Sequence, residues 1–118
     1  MNIVYKNKNI QRICNDYDYT LKHFGKEIAT KLFELINYID EINNLHILTA
    51  MPQYRVHLLH HNREYQYSIV ISKSSKWRLI IYPLDKDGQV LKKSDNEIEK
   101  LVNSVGIMIL EVSEHYDK

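Results

Sequence analysis

Histidine and arginine side chains are concentrated in one short stretch, RVHLLHHNREYQYSI, which spans residues 55–69. Its alternating apolar residues are typical of two short strands. Imidazoles titrate near neutral pH and can move protons, whereas guanidinium groups can hold the non-bridging oxygens of a phosphate. Cleavage of RNA by its own 2′-hydroxyl requires a base, an acid and fixed positive charge. The stretch therefore permits RNA phosphodiester chemistry through His57, His60, Arg55 and Arg63, whereas His61 is interpreted as a bystander.

Positive charge is unevenly distributed along the chain, although the formal net charge is only +1. Residues 55–82 contain a single acid, Glu64, among several cations: Arg55, Arg63, Lys73, Lys76 and Arg78. This asymmetry predicts a local anionic ligand. The alternative interpretation is that strand lysines and arginines only keep a sheet soluble.

Other kinds of site find less support in the sequence. Alternation along a strand points His57 and His61 to one face and His60 to the other, so no metal site is predicted. Cys14 lies in a helical stretch without a neighbouring base and is interpreted as a buried small residue. No cofactor is expected, because the segment KDGQV lacks the glycine pattern of a phosphate-binding loop. The single cysteine and the lack of an apolar leader or membrane span predict a cytoplasmic protein.

The periodicity of apolar residues predicts the elements that must position these side chains. NIVY indicates a first strand, residues 9–24 a helix that ends at Gly25, and residues 28–42 a second helix with one apolar stripe. Three strands of an antiparallel meander follow, at residues 56–59, 65–71 and 77–82. A capping box at Ser94 opens a short helix to about Asn103, and residues 107–112 form a last strand. The predicted fold is one α+β domain over residues 1–118, with an N-terminal helical hairpin packed on a small antiparallel β-sheet.

Four motifs in order carry a resemblance to a known family. They are RVHLL with a following arginine, YSI, KWRLIIYP and, at the C-terminus, ILEVSEHY. This series resembles the plasmid-maintenance killer proteins, the HigB-type toxins of the RelE/ParE superfamily. The resemblance implies a RelE-like fold and a metal-independent, ribosome-dependent endoribonuclease, or mRNA interferase. It also implies a cognate helix-turn-helix (HigA-like) antitoxin that neutralises the toxin, with a toxin–antitoxin hetero-oligomer as the expected complex.

The resemblance also implies roles for individual residues. His57 matches the catalytic strand histidine of the family, and Arg78 matches the strand arginine near the scissile phosphate. Arg63 matches a turn cation that touches RNA, while His60 stands where lysine is usual, so a permanent cation has become titratable. The expected RNA-binding set is Arg55, His60, Arg63, Lys73 and Lys76.

The C-terminal motif departs from the family pattern. The family commonly ends Asp-Tyr-His, whereas this chain has Glu114, His115 and Tyr116, all three of which are candidate catalytic residues. Either the tail shifts by one residue, or histidine and tyrosine exchange roles. Alternative functions are a ParE-like toxin that binds gyrase, an inactive toxin that survives as a binding module, and a small RNA-binding domain.

Overall fold

The computed structural model describes residues 1–114 and has the α+β composition that the sequence predicts. Its strands are β1 (Asn2–Tyr5), β2 (His57–Leu58), β3 (Tyr67–Val70), β4 (Arg78–Leu84) and β5 (Gly106–Ser113). Its helices are α1 (Lys8–Asn15), α2 (Tyr17–Phe24), α3 (Lys26–Glu41), α4 (Leu45–Thr49) and α5 (Glu97–Val102). A 3-10 turn, Pro52–Tyr54, precedes β2. Neither α4 nor the 3-10 turn was predicted.

The sheet is mixed, so the prediction of an antiparallel sheet is wrong in one pairing. The strand order is β1-β5-β4-β3-β2, and β1 runs parallel to β5 while the other neighbours are antiparallel. Parallel strands need a long crossover, and here the rest of the described chain lies between them. Gly106 permits their close approach, because a Cβ at this position would lie 3.1 Å from the Asn2 carbonyl oxygen.

The predicted helix over residues 9–24 is wrong as one element, because it breaks at Asp16. The Asp16 backbone is extended, its N–H still donates to the Arg12 carbonyl, and its carboxylate accepts from the Tyr19 N–H. Aspartate favours this capping role, so α1 ends and α2 begins at one residue. The second predicted helix is confirmed as α3, which follows Gly25 at φ 88°.

Asparagine side chains start two short helices that the sequence analysis either missed or capped at the wrong residue. Asn44 accepts from the Ile47 N–H and starts α4, a helix too short to give an apolar period. Asn96, and not Ser94, caps α5, since its side chain accepts from the Glu99 N–H. The Ser94 hydroxyl instead accepts from the Asn96 N–H, so the serine lies two residues too early to cap the helix.

The main core lies between the helices and one face of the sheet. On β3 and β4 the residues facing the helices alternate as predicted, and all of them are buried: Tyr67, Ile69, Leu79 and Ile81. They pack with apolar residues of α1, α3, α4, α5 and β5. Cys14 belongs to this core, as predicted, and burial raises the pKa of its thiol to about 12. The thiol is therefore protonated at neutral pH.

The opposite side of the sheet, here called the open face, carries the alternate strand residues. A second, smaller apolar cluster lies there, made of Leu59, Ile80 and Leu110 with Tyr82 and Met108 at its margin. Within residues 1–114 this cluster includes no helix residue. The sheet therefore packs against helices on one side and presents strand and turn side chains on the other.

Lys100 of α5 is a charged residue inside the main core. Its side chain is only 4% exposed, and its Nζ lies 5.0 Å from the centre of the Tyr67 ring. No hydrogen-bond partner for this Nζ is present in residues 1–114. The Tyr67 hydroxyl donates to Glu97, one turn earlier on α5. Burial lowers the pKa of Lys100, whereas burial and Glu97 raise the pKa of Tyr67.

We expect Lys100→Met to raise the free energy of unfolding at pH 7 by about 1 kcal/mol, because a buried ammonium without a hydrogen bond is replaced by an apolar chain of similar length. Between its lowered folded pKa and the unfolded value near 10.4, the unfolded state binds more protons, so this group makes stability rise with pH. Urea unfolding at pH 7 and pH 9.5 should show a smaller rise for Lys100→Met than for the natural sequence. Lys31→Met, at an exposed lysine of α3, is the control, and a less stable Lys100→Met would contradict this expectation.

Candidate functional site

The candidate site is organised by one row of residues across the open face. Strand register places His57 opposite Ser68, Ser68 opposite Ile80, and Ile80 opposite Glu111. Neighbouring strands are about 4.8 Å apart, so His57 and Glu111 are separated by about 14 Å along this row. An ionisable group therefore stands at each end of the row, with the buried residues Ser68 and Ile80 between them.

His57 is held in one orientation by the backbone that precedes it. Its Nδ1 lies 3.0 Å from the Arg55 carbonyl oxygen. Because a carbonyl can only accept, Nδ1 carries a hydrogen and donates it to this oxygen. Arg55 has φ 42°, a left-handed conformation that is uncommon for a residue with a side chain. This strained residue turns its carbonyl toward the imidazole, so Arg55 contributes to the site through its backbone.

Arg63 reaches back over the open face from the turn between β2 and β3. Its Nη1 donates to the Gln66 side-chain oxygen at 3.2 Å and to Glu111 Oε2 at 3.1 Å. Since Glu111 lies on β5, this arginine spans the two strands between its own turn and that carboxylate. Its side chain and that of Glu111 are 42% and 39% exposed, so both remain accessible to solvent.

Arg78 begins β4 on the open face, next to the turn between β3 and β4. Its Nη1 donates to the carbonyl oxygens of Ser75 and Trp77 at 3.2 and 3.0 Å. These bonds hold a half-buried guanidinium near the turn. From the register, the Cα atoms of Arg78 and His57 are two strands and two residues apart, which is about 12 Å. A bound phosphodiester between them could be approached by both long side chains.

The other predicted site residues are not gathered at one point. His60 and His61 are exposed in the same turn as Arg63, and His61 has φ 63°. Lys76 is exposed in the turn before Arg78, and Glu114 is exposed just after β5. His115 and Tyr116, the remaining predicted catalytic residues, lie outside the described residues.

Lys73 faces a different region of the molecule. It lines a cavity of about 440 Å³ between α3, the 3-10 turn and the turn after β3, together with Lys31, Glu34 and Tyr54. Glu27 closes one side by accepting hydrogen bonds from the hydroxyls of Ser72 and Ser74, which lower the pKa of its carboxyl. This cavity lies on the helical side, so Lys73 is separated from the open face.

Glu111 is the site residue that the sequence analysis missed. A register shift between Ile80 and Ile81 leaves Leu110 as an extra residue of β5, so that both Leu110 and Glu111 lie on the open face. The signal was a lone acid within the apolar run GIMILEV, but its direction depends on the bulge. With strict alternation after Leu110, the Glu111 side chain would have pointed toward the helices.

Three general findings bear on the site. Among residues 1–114, no group of three His, Cys, Asp or Glu side chains is arranged to hold a metal ion. None of the helices in this range has the length and apolar character needed to cross a membrane. The chain matches no protein-family model, no curated protein and no solved structure. The family resemblance therefore rests on the four quoted motifs.

Proposed function

We propose that this protein is a toxin of a type II toxin–antitoxin system that cleaves mRNA on the ribosome. The observation that carries the proposal is the hydrogen bond from His57 Nδ1 to the Arg55 carbonyl. It fixes the imidazole on the sheet face that also bears Arg63 and Arg78, where a histidine can serve as a general base. The motifs that resemble HigB-type toxins lie in the strands that form this face.

The proposed reaction is attack of an RNA 2′-hydroxyl on the adjacent phosphorus. A base removes the 2′-hydroxyl proton as the O2′–P bond forms, and an acid protonates the 5′-oxygen as the P–O5′ bond breaks. The products are a 2′,3′-cyclic phosphate and a 5′-hydroxyl. His57 is proposed as the base, and Arg78 and Arg63 neutralise the charge that builds on the phosphate oxygens.

The acid is assigned to the C-terminal motif. Ser113, the last residue of β5, is paired with Arg78, so the chain continues into Glu114 next to the strand that carries this arginine. His115 or Tyr116 would then donate the proton, as the resemblance implies, and the two assignments remain alternatives. Glu114 would stabilise whichever of them acts.

Partners and location follow from the same proposal. An open site has few walls to orient a flexible RNA, so the ribosome is proposed to supply that orientation. A helix-turn-helix, HigA-like antitoxin is the proposed neutralising partner, and the cytoplasm is the proposed location. The finer fold assignment, a RelE-like N-terminal helical hairpin packed on the sheet, belongs to this proposal and is supported by the α1 and α3 residues that pack against one face of the sheet.

The proposal is tested by expressing the chain without an antitoxin and mapping the 5′ ends of cellular mRNA. We expect in-frame cuts that fall by roughly 10²-fold in Arg78→Ala, because a cation aimed at the reacting phosphate is removed. Arg12→Ala is the control, since Arg12 is an exposed arginine of α1 whose guanidinium lies over Tyr19.

Two other outcomes would contradict the nuclease proposal. Growth arrest with intact mRNA and broken DNA would indicate a gyrase-binding toxin. Expression without toxicity and without RNA cuts would indicate a binding module.

A further inference from the structure

Arg63, the turn cation proposed to bind RNA, already forms an ion pair with the Glu111 carboxylate. The Arg63 side chain bridges from its turn to Glu111 with a single N–O contact of 3.1 Å, and the same Nη1 also serves Gln66. A bidentate arginine–carboxylate pair would be stronger and more specific than one such contact. Because both side chains are about two-fifths exposed, water and salt weaken the pair further. A second anion of favourable geometry can therefore replace Glu111 at low cost.

The turn that carries Arg63 has a conformation that needs support. His61 and Tyr65 flank the arginine with φ 63° and 66°, although neither is glycine. Left-handed backbone at two side-chain-bearing residues is unfavourable and persists only when surrounding contacts stabilise it. The Arg63–Glu111 contact is one of those that join this turn to the sheet, and Leu59 lies buried at the start of the turn.

We propose that Glu111 competes with the phosphodiester backbone of single-stranded RNA for binding to Arg63. Its carboxylate holds Arg63 across the open face, and a phosphodiester takes its place when RNA binds. Glu111 thus sets the affinity of the site for RNA and keeps the turn closed over the sheet in the absence of RNA. This inference rests on the proposed function, because it assumes that the open face binds RNA.

The test is the binding of a short, fluorescently labelled single-stranded RNA at several salt concentrations. We expect Glu111→Gln to bind two- to five-fold more tightly than the natural sequence. We also expect Arg63→Ala to reduce the slope of log K against log salt by about 0.7, because one phosphate contact, and the counterion that the RNA releases on forming it, are lost. Arg63→Ala should bind more weakly, and Glu111→Gln should have no effect in the Arg63→Ala background.

Glu34→Gln is the matched control, because it removes the same charge from an exposed ion pair with Lys31 on α3. An equal gain in Glu34→Gln would show that net charge alone acts, and would overturn the inference. Weaker binding of Glu111→Gln would also overturn it, because Glu111 would then position Arg63 for RNA instead of competing with RNA.

The proposed function and the inference fail in different ways. If the natural sequence cleaves mRNA while Glu111→Gln binds RNA no better, the inference is wrong and the proposed function stands. If the natural sequence neither binds nor cleaves RNA, and Glu111→Gln does not restore binding, both are wrong. Tighter RNA binding by Glu111→Gln without any mRNA cleavage would support competition by Glu111 and contradict the proposed nuclease activity.

Discussion

His57→Ala is expected to lower the rate of mRNA cleavage on the ribosome by about 10²–10⁴-fold, the usual contribution of a general base. The bond from Nδ1 to the Arg55 carbonyl fixes the ring of the proposed base on the open face. Alanine removes the proton acceptor but leaves the strand pairing of position 57 with Ser68 intact. The rate constant should therefore fall with little change in the stability of the protein.

The measurement is single-turnover cleavage of a defined mRNA on purified ribosomes, with unfolding monitored on the same samples. His23→Ala is the matched control, because His23 is also exposed and its Nδ1 also bonds a backbone carbonyl, that of Tyr19 on α2. The control should cleave at the natural rate. If both variants lose activity equally, or if neither does, His57 is not the base.

The elements that could be predicted are those whose packing follows the local period. α3 was predicted because its apolar stripe is continuous, and β4 because residues 77–82 are rich in aromatic and β-branched side chains, which favour strands. Asp16 shows the limit of this approach. The helical period runs through it, yet its side chain bonds the next turn and divides the helix.

The topology could not be read from local patterns. The pairing of β1 with β5 joins residues more than a hundred positions apart, and no period within either strand states that they run parallel. What decides it is a tertiary fit, in which Gly106 admits the Asn2 backbone. Contacts of this kind depend on the whole core, and the only local sign of this one in the two strand sequences is a small residue, Gly106.

The candidate site, like the fold, could be predicted only where local patterns determine it. The sequence indicated which residue types could act, and register then placed His57 and Arg78 on one face, as alternation predicts. The ion pair of Arg63 with Glu111 depends on a turn that folds back and on a bulge in β5. Neither follows from alternation, so the acid that tunes the site was found only from the three-dimensional arrangement.

Leu79→Ala is expected to lower the free energy of unfolding by about 2–5 kcal/mol, since it opens a cavity in the main core. Leu79 is 0% exposed and lies between Ile69 and Val112 on neighbouring strands. For a chain of this size the loss corresponds to a fall of roughly 8–20 °C in Tm. Urea and thermal unfolding monitored by circular dichroism provide the measurement.

This prediction has a direct bearing on the site, because Leu79 separates Arg78 from Ile80 on the same strand. Its side chain packs toward the helices, whereas those of its two neighbours belong to the open face. Ile98→Ala on α5, at a side chain that is 61% exposed, should change stability by less than about 0.5 kcal/mol and serves as the control. Equal losses in the two variants would contradict the two-sided sheet. The expected difference, with RNA cleavage by folded Leu79→Ala largely retained at low temperature, would show that the core supports the open face without taking part in its chemistry.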